Sequence, residues 1–433
     1  MEEPTQTAAA GDDDGRIPTA ATERWSALPG DLLSIIYLRL VAGPMVDRLS
    51  FVAVCGWWRA VASSTRPPRR LLPWLVLDPG GGDRAKHVRC LEDGVVLPPR
   101  FRFPDEAVDR CIVGGHDGGW VAFLEAPLRI VNLFSGAEVT LSTKQRRIVR
   151  LRNRGGSSVD DRFVPLKVIF SSPPTSSGCI LAAITERDEV AICGLGRPRF
   201  SWLPRRLPGK TIMDIAFCDG HLYCLVSETM EIIRFEVGLT KHGVFKSNPQ
   251  WLFVGDLRST VFYHQNGGDP NEQAVYIVEL HGKIMIAARR TEWSRPRNTY
   301  VSFFSVFELV VEDYGSLDKL TRWKRLKSLG DHALFLGSTF SKAMQMSTDE
   351  NGYPQRNNIY YSHHRCYPQK ESVPGEAEEF LRASNSDGRH VYYKTHYKED
   401  ESVHNNVEGI TTVGHYVMGS DKYPPMWLFP PDL

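Results

Sequence analysis

Residues 212–237, IMDIAFCDGHLYCLVSETMEIIRFEV, decide the fold. Two apolar runs, Ile212–Phe217 and His221–Val226, flank the turn Cys218-Asp219-Gly220-His221. Asp-Gly between such runs is a two-residue hairpin signal, because both central residues must adopt positive φ. A third run, Glu231–Glu236, carries Phe235 and ends polar. The same succession returns at residues 274–293, AVYIVELHGKIMIAARRTEW, with Leu280-His281-Gly282-Lys283 as the turn, and continues into Val301–Val311. The two stretches predict a degenerate repeat: apolar strand, tight turn, apolar strand, polar-ended strand.

Similar short runs lie on both sides. Trp120–Leu124, Leu128–Leu133, Val168–Phe170, Ile180–Ile184 and Glu189–Cys193 come before, and Asn358–Tyr361, Val391–Lys394 and Thr412–Met418 after. Short strands separated by turn signals at roughly 8–12 residues mean a sandwich, barrel or propeller. Residues 71–433 are too many for one sandwich, whereas a propeller grows by adding four-stranded blades. At roughly 40–50 residues per blade, the length predicts about six or seven. No Trp-Asp dipeptide occurs, so this is not an ordinary WD40 array.

The first 70 residues read differently. Residues 1–23 are rich in Ala, Thr, Gly and Asp without periodicity, which predicts a disordered tail. Residues 24–65 predict a three-helix unit. Leu32, Leu33, Ile36 and Leu40 recur at helical spacing, Pro29 and Asp31 suit a helix start, and Gly43-Pro44 ends it. Further helices are expected over about Val46–Val54 and Gly56–Ser63. Three short helices bury too little to stand alone, and no metal or disulfide is expected to staple them, so a partner is implied. Residues 66–70, with Pro67-Pro68, read as a linker.

Charge and composition exclude several classes. Lys plus Arg is 52 and Asp plus Glu is 51, a net charge of +1 that argues against a dedicated nucleic-acid binder. No apolar run approaches the roughly 20 residues of a membrane-spanning helix, so no membrane partner is expected. The start, MEEPTQTAAAGDDDG, lacks the basic and apolar regions of a secretory signal, which predicts a nuclear or cytoplasmic protein. The 8 cysteines include no Cys-x-x-Cys pair and are expected to be reduced and mostly buried.

No catalytic constellation emerges, and no cofactor is expected. Adjacent His363 and His364 point apart on a strand, so His363-His364-x-Cys366 is not read as a metal site. Gly114–Gly119 lacks the Lys-Ser/Thr of a phosphate loop and reads as a tight turn. Lys144–Arg154, KQRRIVRLRNR, reads as a solvated strand edge in preference to a nuclear-import patch. Arg197–Lys210, broken by prolines, reads as a connection between blades, and Glu399-Asp400-Glu401 near Tyr392 and Tyr393 as a loop.

Leu28–Thr65 resembles an F-box. The residues that carry the likeness are Leu28-Pro29, Asp31, Leu32-Leu33 and Val54-Cys55-Gly56-Trp57-Trp58-Arg59, with Gly43-Pro44 departing from the usual short polar turn. The remainder is similar to the plant F-box family whose C-terminal β-propeller was long catalogued as a domain of unknown function. That likeness rests on Gly115–Trp120 with Asn132-Leu133-Phe134-Ser135-Gly136, on Trp323–Leu326 with Leu329–Gly337, on Asn358–Ser362 and on Pro425–Pro430. Phe134 departs from the family's usual turn. The resemblance implies a non-catalytic, substrate-recognition subunit of a Skp–cullin–F-box ubiquitin ligase. The helices would dock a Skp-type adaptor, and through it cullin and RING subunits, while the propeller recruits a protein substrate. It assigns the adaptor contact to Leu28, Pro29, Leu32, Leu33, Ile36, Val54, Cys55 and Trp58. Ile36 and Val54 could instead hold the three helices together. Two rival readings stay open: an adaptor-binding scaffold without a role in degradation, and a propeller enzyme or ligand binder with a vestigial F-box. The last would need polar residues converging on the central channel.

Overall fold

Asp219 and Gly220 take φ of 45° and 70°, and His281 and Gly282 take 55° and 71°. Positive φ at both positions is the type I′ turn, whose twist matches that of the strands it joins. The registers close on these turns: Cys218 pairs with His221, and Leu280 with Lys283. This computed structural model describes residues 25–41, 45–65, 72–77, 87–90, 110–124, 128–150, 159–162, 164–196, 199, 201–207, 210–226, 230–240, 243–246, 249–252, 274–294, 299–313, 319–346, 356–363, 397–398, 410–416 and 426–431. The chain divides into two units, Met1–Arg70 with Asp432–Leu433, and Leu71–Pro431.

The first unit holds α1 (Gly30–Val41), α2 (Met45–Ala53) and α3 (Gly56–Thr65). The Pro29 carbonyl accepts the first helical bond from Leu33 N at 3.1 Å, so the proline sits just outside α1. The unit's core is small: Leu33, Tyr37, Phe51, Val52, Val61 and Ala62, with Leu28, Leu40 and Trp58 packed partly against it.

The second unit is mostly β and propeller-like. It begins with β1 (Trp74–Leu77) paired to β2 (His87–Cys90). The first blade is β3 (Ile112–His116), β4 (Trp120–Phe123), β5 (Arg129–Asn132) and β6 (Glu138–Val139). A separate ribbon pairs β7 (Arg147–Arg150) with β8 (Val159–Arg162). The second blade is β9 (Pro165–Phe170), β10 (Ile180–Thr185), β11 (Glu189–Gly194) and β12 (Leu203–Arg206). The third is β13 (Ile212–Cys218), β14 (His221–Val226), β15 (Ile232–Thr240) and β16 (Gly243–Lys246), with β17 (Gln250–Leu252) also on β15. The fourth is β18 (Val275–Leu280), β19 (Lys283–Ser294), β20 (Thr299–Asp313) and β21 (Lys319–Leu326).

A mixed sheet follows. It contains β22 (His332–Leu336), β23 (Lys342–Gln345), β24 (Asn358–His363), β25 (Tyr397–Lys398) and β26 (Thr411–Tyr416), with β22, β24 and β26 parallel. Finally β27 (Met426–Leu428) returns to pair antiparallel with β1, so the unit's last strand closes on its first.

Alternation explains why the strands read as continuous apolar runs. On β10, Leu181 and Ala183 pack toward the first blade, while Ile180, Ala182 and Ile184 pack toward the third. Each blade is therefore covered on both faces, and the cores lie between successive sheets. Gly114 is where the first two blades meet. It sits opposite Val168, and a Cβ there would lie 2.0 Å from the Val168 carbonyl oxygen.

Among the described residues the first two blades are joined through β3 and β9 into one eight-stranded sheet, the third carries β17 as a fifth strand, the fourth has four strands, and the mixed sheet, the β2-β1-β27 sheet and the β7-β8 ribbon make up the rest. One expectation changes. Residues 203–206, read as part of a connection, form β12 on the edge of the second blade. An edge strand tolerates Pro204 because its missing N–H costs no ladder bond. The tail 1–23, the linker 66–70, residues 151–154, His364, Cys366, residues 391–394 and 399–401 lie outside the described residues. Among the described residues no helix is long and apolar enough to cross a membrane.

Candidate functional site

Within the helical unit, α1 is apolar on nearly every side. Leu33 is 0% exposed and sits in the core, whereas Leu32 is 46% and Ile36 37% exposed. Trp25, Ile35, Leu38, Val54 and Trp57 are exposed as well. Most of the large exposed apolar side chains described anywhere in the chain therefore lie on this unit of three short helices. Such a concentration marks an interaction surface.

The structure sorts the eight residues assigned to the adaptor contact. Pro29, Leu32, Ile36 and Val54 face solvent, while Leu28, Cys55 and Trp58 are half-buried. Ile36 and Val54 are thus not the residues that hold the helices together. Leu33 is, and its side chain is unavailable to a partner while the unit is folded. Trp58 has a double role: its ring packs on Phe51 with centroids 4.6 Å apart, and its Nε1 donates to the Trp25 carbonyl at 3.1 Å. Trp57 Nε1 donates in the same way to the Leu28 carbonyl at 3.1 Å. The two indoles tie the lead-in segment to α3.

The propeller unit has its own concave site. A cavity of about 170 Å³ is lined by His116 and Asp117 at the end of β3, Lys167 on β9, Ile215 on β13, Glu279 on β18 and Lys342 on β23, among others. These come from the first strands of the four regular blades and from the mixed sheet, so charged groups converge where the blades' leading strands meet. Lys167 Nζ lies 2.6 Å from Asp214 Oδ1, and both side chains are buried. Asp214 also accepts from its neighbour Ile215 N at 2.8 Å and from Ile277 N of β18 at 3.0 Å. One carboxylate thus joins three blades. Lys342 pairs with Asp117 across the cavity. His116 Nδ1 donates to the Asp117 carbonyl at 3.2 Å, and burial pushes its pKa below the usual value despite the nearby carboxylate.

Sequence reading passed over Lys167, Asp214 and Glu279. The signal was present: each is the only charged residue in an otherwise apolar strand, PLKVIF, IMDIAFC and VYIVEL. Of the Gly114–Gly119 stretch, read as a tight turn, Gly114–His116 belong to β3 and the turn is Asp117–Gly119, with Gly118 and Gly119 at φ of 74° and 84°. Asn132 Nδ2 donates to the Gly118 carbonyl at 2.8 Å, and its Oδ1 accepts from Phe134 N and Ser135 N. Two of the stretches that carry the propeller resemblance, Gly115–Trp120 and Asn132–Gly136, are therefore bonded to each other.

Four of the described thiols are not poised for chemistry. Burial pushes Cys218 up to about 11 and Cys193 up to about 12, and raises Cys179 and Cys224 as well. Such groups stay protonated and are poor nucleophiles at neutral pH.

Residues 92–393 match the family described as KIB1-4 beta-propeller. No curated protein matches the chain. Among solved structures, BBS1N in complex with ARL6DN aligns at 11% identity over 56% of this chain and 61% of that chain, with a TM-score of 0.25. The WD40 domain of SCAP from fission yeast aligns at 12% identity over 63% of this chain and 78% of that chain, also with a TM-score of 0.25. Dihydro-heme d1 dehydrogenase NirN in complex with DHE aligns at 11% identity over 77% and 61%, with a TM-score of 0.29. The aligned part takes in less than two thirds of the BBS1N and NirN chains. At these scores the likenesses carry no argument about this chain.

Proposed function

The chain belongs to the KIB1-4 β-propeller family, and from that premise we propose that it is a non-catalytic substrate receptor of a Skp–cullin–F-box ubiquitin ligase. Its helical unit docks a Skp-type adaptor, and its propeller binds a protein substrate. Cullin and RING subunits, reached through the adaptor, perform the transfer, so this chain needs no catalytic residue of its own. It works in the nucleus or cytoplasm, where that machinery operates. The observation that carries the proposal is the exposed apolar face of the helical unit: Leu32, Ile36 and Val54 stand in solvent at the positions the F-box resemblance assigns to adaptor contact. A propeller supports the second half, since a rigid scaffold that presents rim loops is suited to protein recognition.

The test is binding of the purified full chain to a Skp-type adaptor. Retention of the adaptor is the expected result. A folded chain that does not bind would overturn the proposal. The charged cavity among the blades would then become the primary site, and a ligand-binding propeller the better reading.

A further inference from the structure

We propose that His281 and His332 form an open site for a divalent transition metal of the zinc type, with Asp331 orienting His332. The two residues lie 51 positions apart in sequence. One is in the turn between β18 and β19, the other at the start of β22. Their Nε2 atoms stand 3.2 Å apart, with the rings nearly perpendicular. In tetrahedral zinc sites with Zn–N bonds of about 2.0–2.1 Å, two nitrogens stand about 3.3 Å apart. The observed spacing suits two ligands on one ion and also an N–H···N hydrogen bond between the two rings.

The protonation pattern points the same way. Asp331 Oδ1 lies 2.7 Å from His332 Nδ1. A carboxylate there favours the proton on Nδ1 and leaves a lone pair on Nε2, aimed at His281. His332 Nδ1 has no partner within hydrogen-bond geometry, so the carboxylate acts on it by proximity and charge, as orienting carboxylates do beside metal-ligating histidines. Without an ion, His281 Nε2 must carry a proton to bridge the gap. With one, the metal takes that place and the His281 proton passes through solvent from Nε2 to Nδ1, so both rings stay neutral.

The scaffold is held from several sides. Asp331 Oδ2 accepts from Gln345 Nε2 at 2.6 Å, the Asp331 carbonyl from Met346 N at 2.8 Å, and the His332 carbonyl from Asn357 N at 2.7 Å. His281 is fixed by its type I′ turn, where Gly282 N donates to Glu279 Oε1 at 2.6 Å. His332 is buried and His281 exposed, so the site opens to solvent on the His281 side. Water or a partner's side chain can complete the coordination. Imidazole nitrogens select zinc, copper or nickel over magnesium or calcium.

The full chain, stripped with EDTA and titrated with Zn²⁺ by calorimetry, tests this. One equivalent should bind in the micromolar range. His281→Asn keeps a residue that tolerates positive φ but removes the ligand, and should weaken binding by at least about tenfold. Asp331→Asn should weaken it by about tenfold, the usual cost of losing an orienting carboxylate. No uptake up to millimolar zinc, or equal uptake by wild type and His281→Asn, would overturn the site. An unchanged affinity in Asp331→Asn would remove Asp331 from it.

Discussion

Asp214 ties together several strands of the propeller unit. It holds the buried Lys167 ammonium and caps backbone amides of two strands, so its carboxylate is satisfied on both oxygens. Removing it strands a buried cation and two amides at once. Asp214→Ala should therefore cost about 3–5 kcal/mol in denaturant unfolding, and a loss below about 1 kcal/mol would show that water reaches the cluster. His116 makes a second residue-scale prediction. Its folded pKa lies below 6.5, so the unfolded chain binds more protons as the pH falls through that value. Its contribution is present above about pH 6.5 and is lost below it. His116→Gln should flatten the fall in stability between neutral pH and pH 5, and an unchanged slope would place the acid sensitivity elsewhere.

At the scale of elements, the sequence showed where helices and hairpins lie but not which way each helix faces. The spacing of Leu32, Leu33, Ile36 and Leu40 predicts α1. Yet an apolar stripe that runs round most of a helix does not say which residues face the core. The structure answers with Leu33, Tyr37 and Leu40 inward and Leu32 and Ile36 outward. Leu33→Ala should thus cost the helical unit about 2–5 kcal/mol, while Leu32→Ala should stay within about 0.5 kcal/mol. Thermal unfolding that ranks the two the other way would invert the assignment. The Asp-Gly and His-Gly turns were legible because a two-residue loop demands positive φ. β12 was not, because Pro204 and its polar neighbours are compatible with either an edge strand or a loop. The charged cavity was hidden for a related reason. Each charge sits alone in an apolar strand, and only the arrangement of blades brings Lys167 and Asp214 together.

Over the whole molecule, two devices stand out. The propeller unit closes on itself: β27 pairs with β1, and the buried Trp427 donates from Nε1 to the Leu336 carbonyl at 2.9 Å. That closure joins residues near 75 to residues near 427 and covers strands that would otherwise present open edges. The helical unit does the opposite, leaving apolar surface uncovered on a core too small to be self-sufficient. The division matches the proposed work, a self-contained recogniser and a segment built to be completed by a partner.

The most direct measurement is the adaptor affinity of the full chain by calorimetry, for wild type, Leu32→Asp, Ile36→Asp and Leu166→Asp. Leu32, Ile36 and Leu166 are all exposed, so each variant should fold, but Leu166 lies on the propeller. A carboxylate forced into an apolar contact costs several kcal/mol, which is about a hundredfold or more in affinity. The account predicts that loss for Leu32→Asp and Ile36→Asp and wild-type affinity for Leu166→Asp. Full affinity in both helical variants, or loss only in Leu166→Asp, would contradict it.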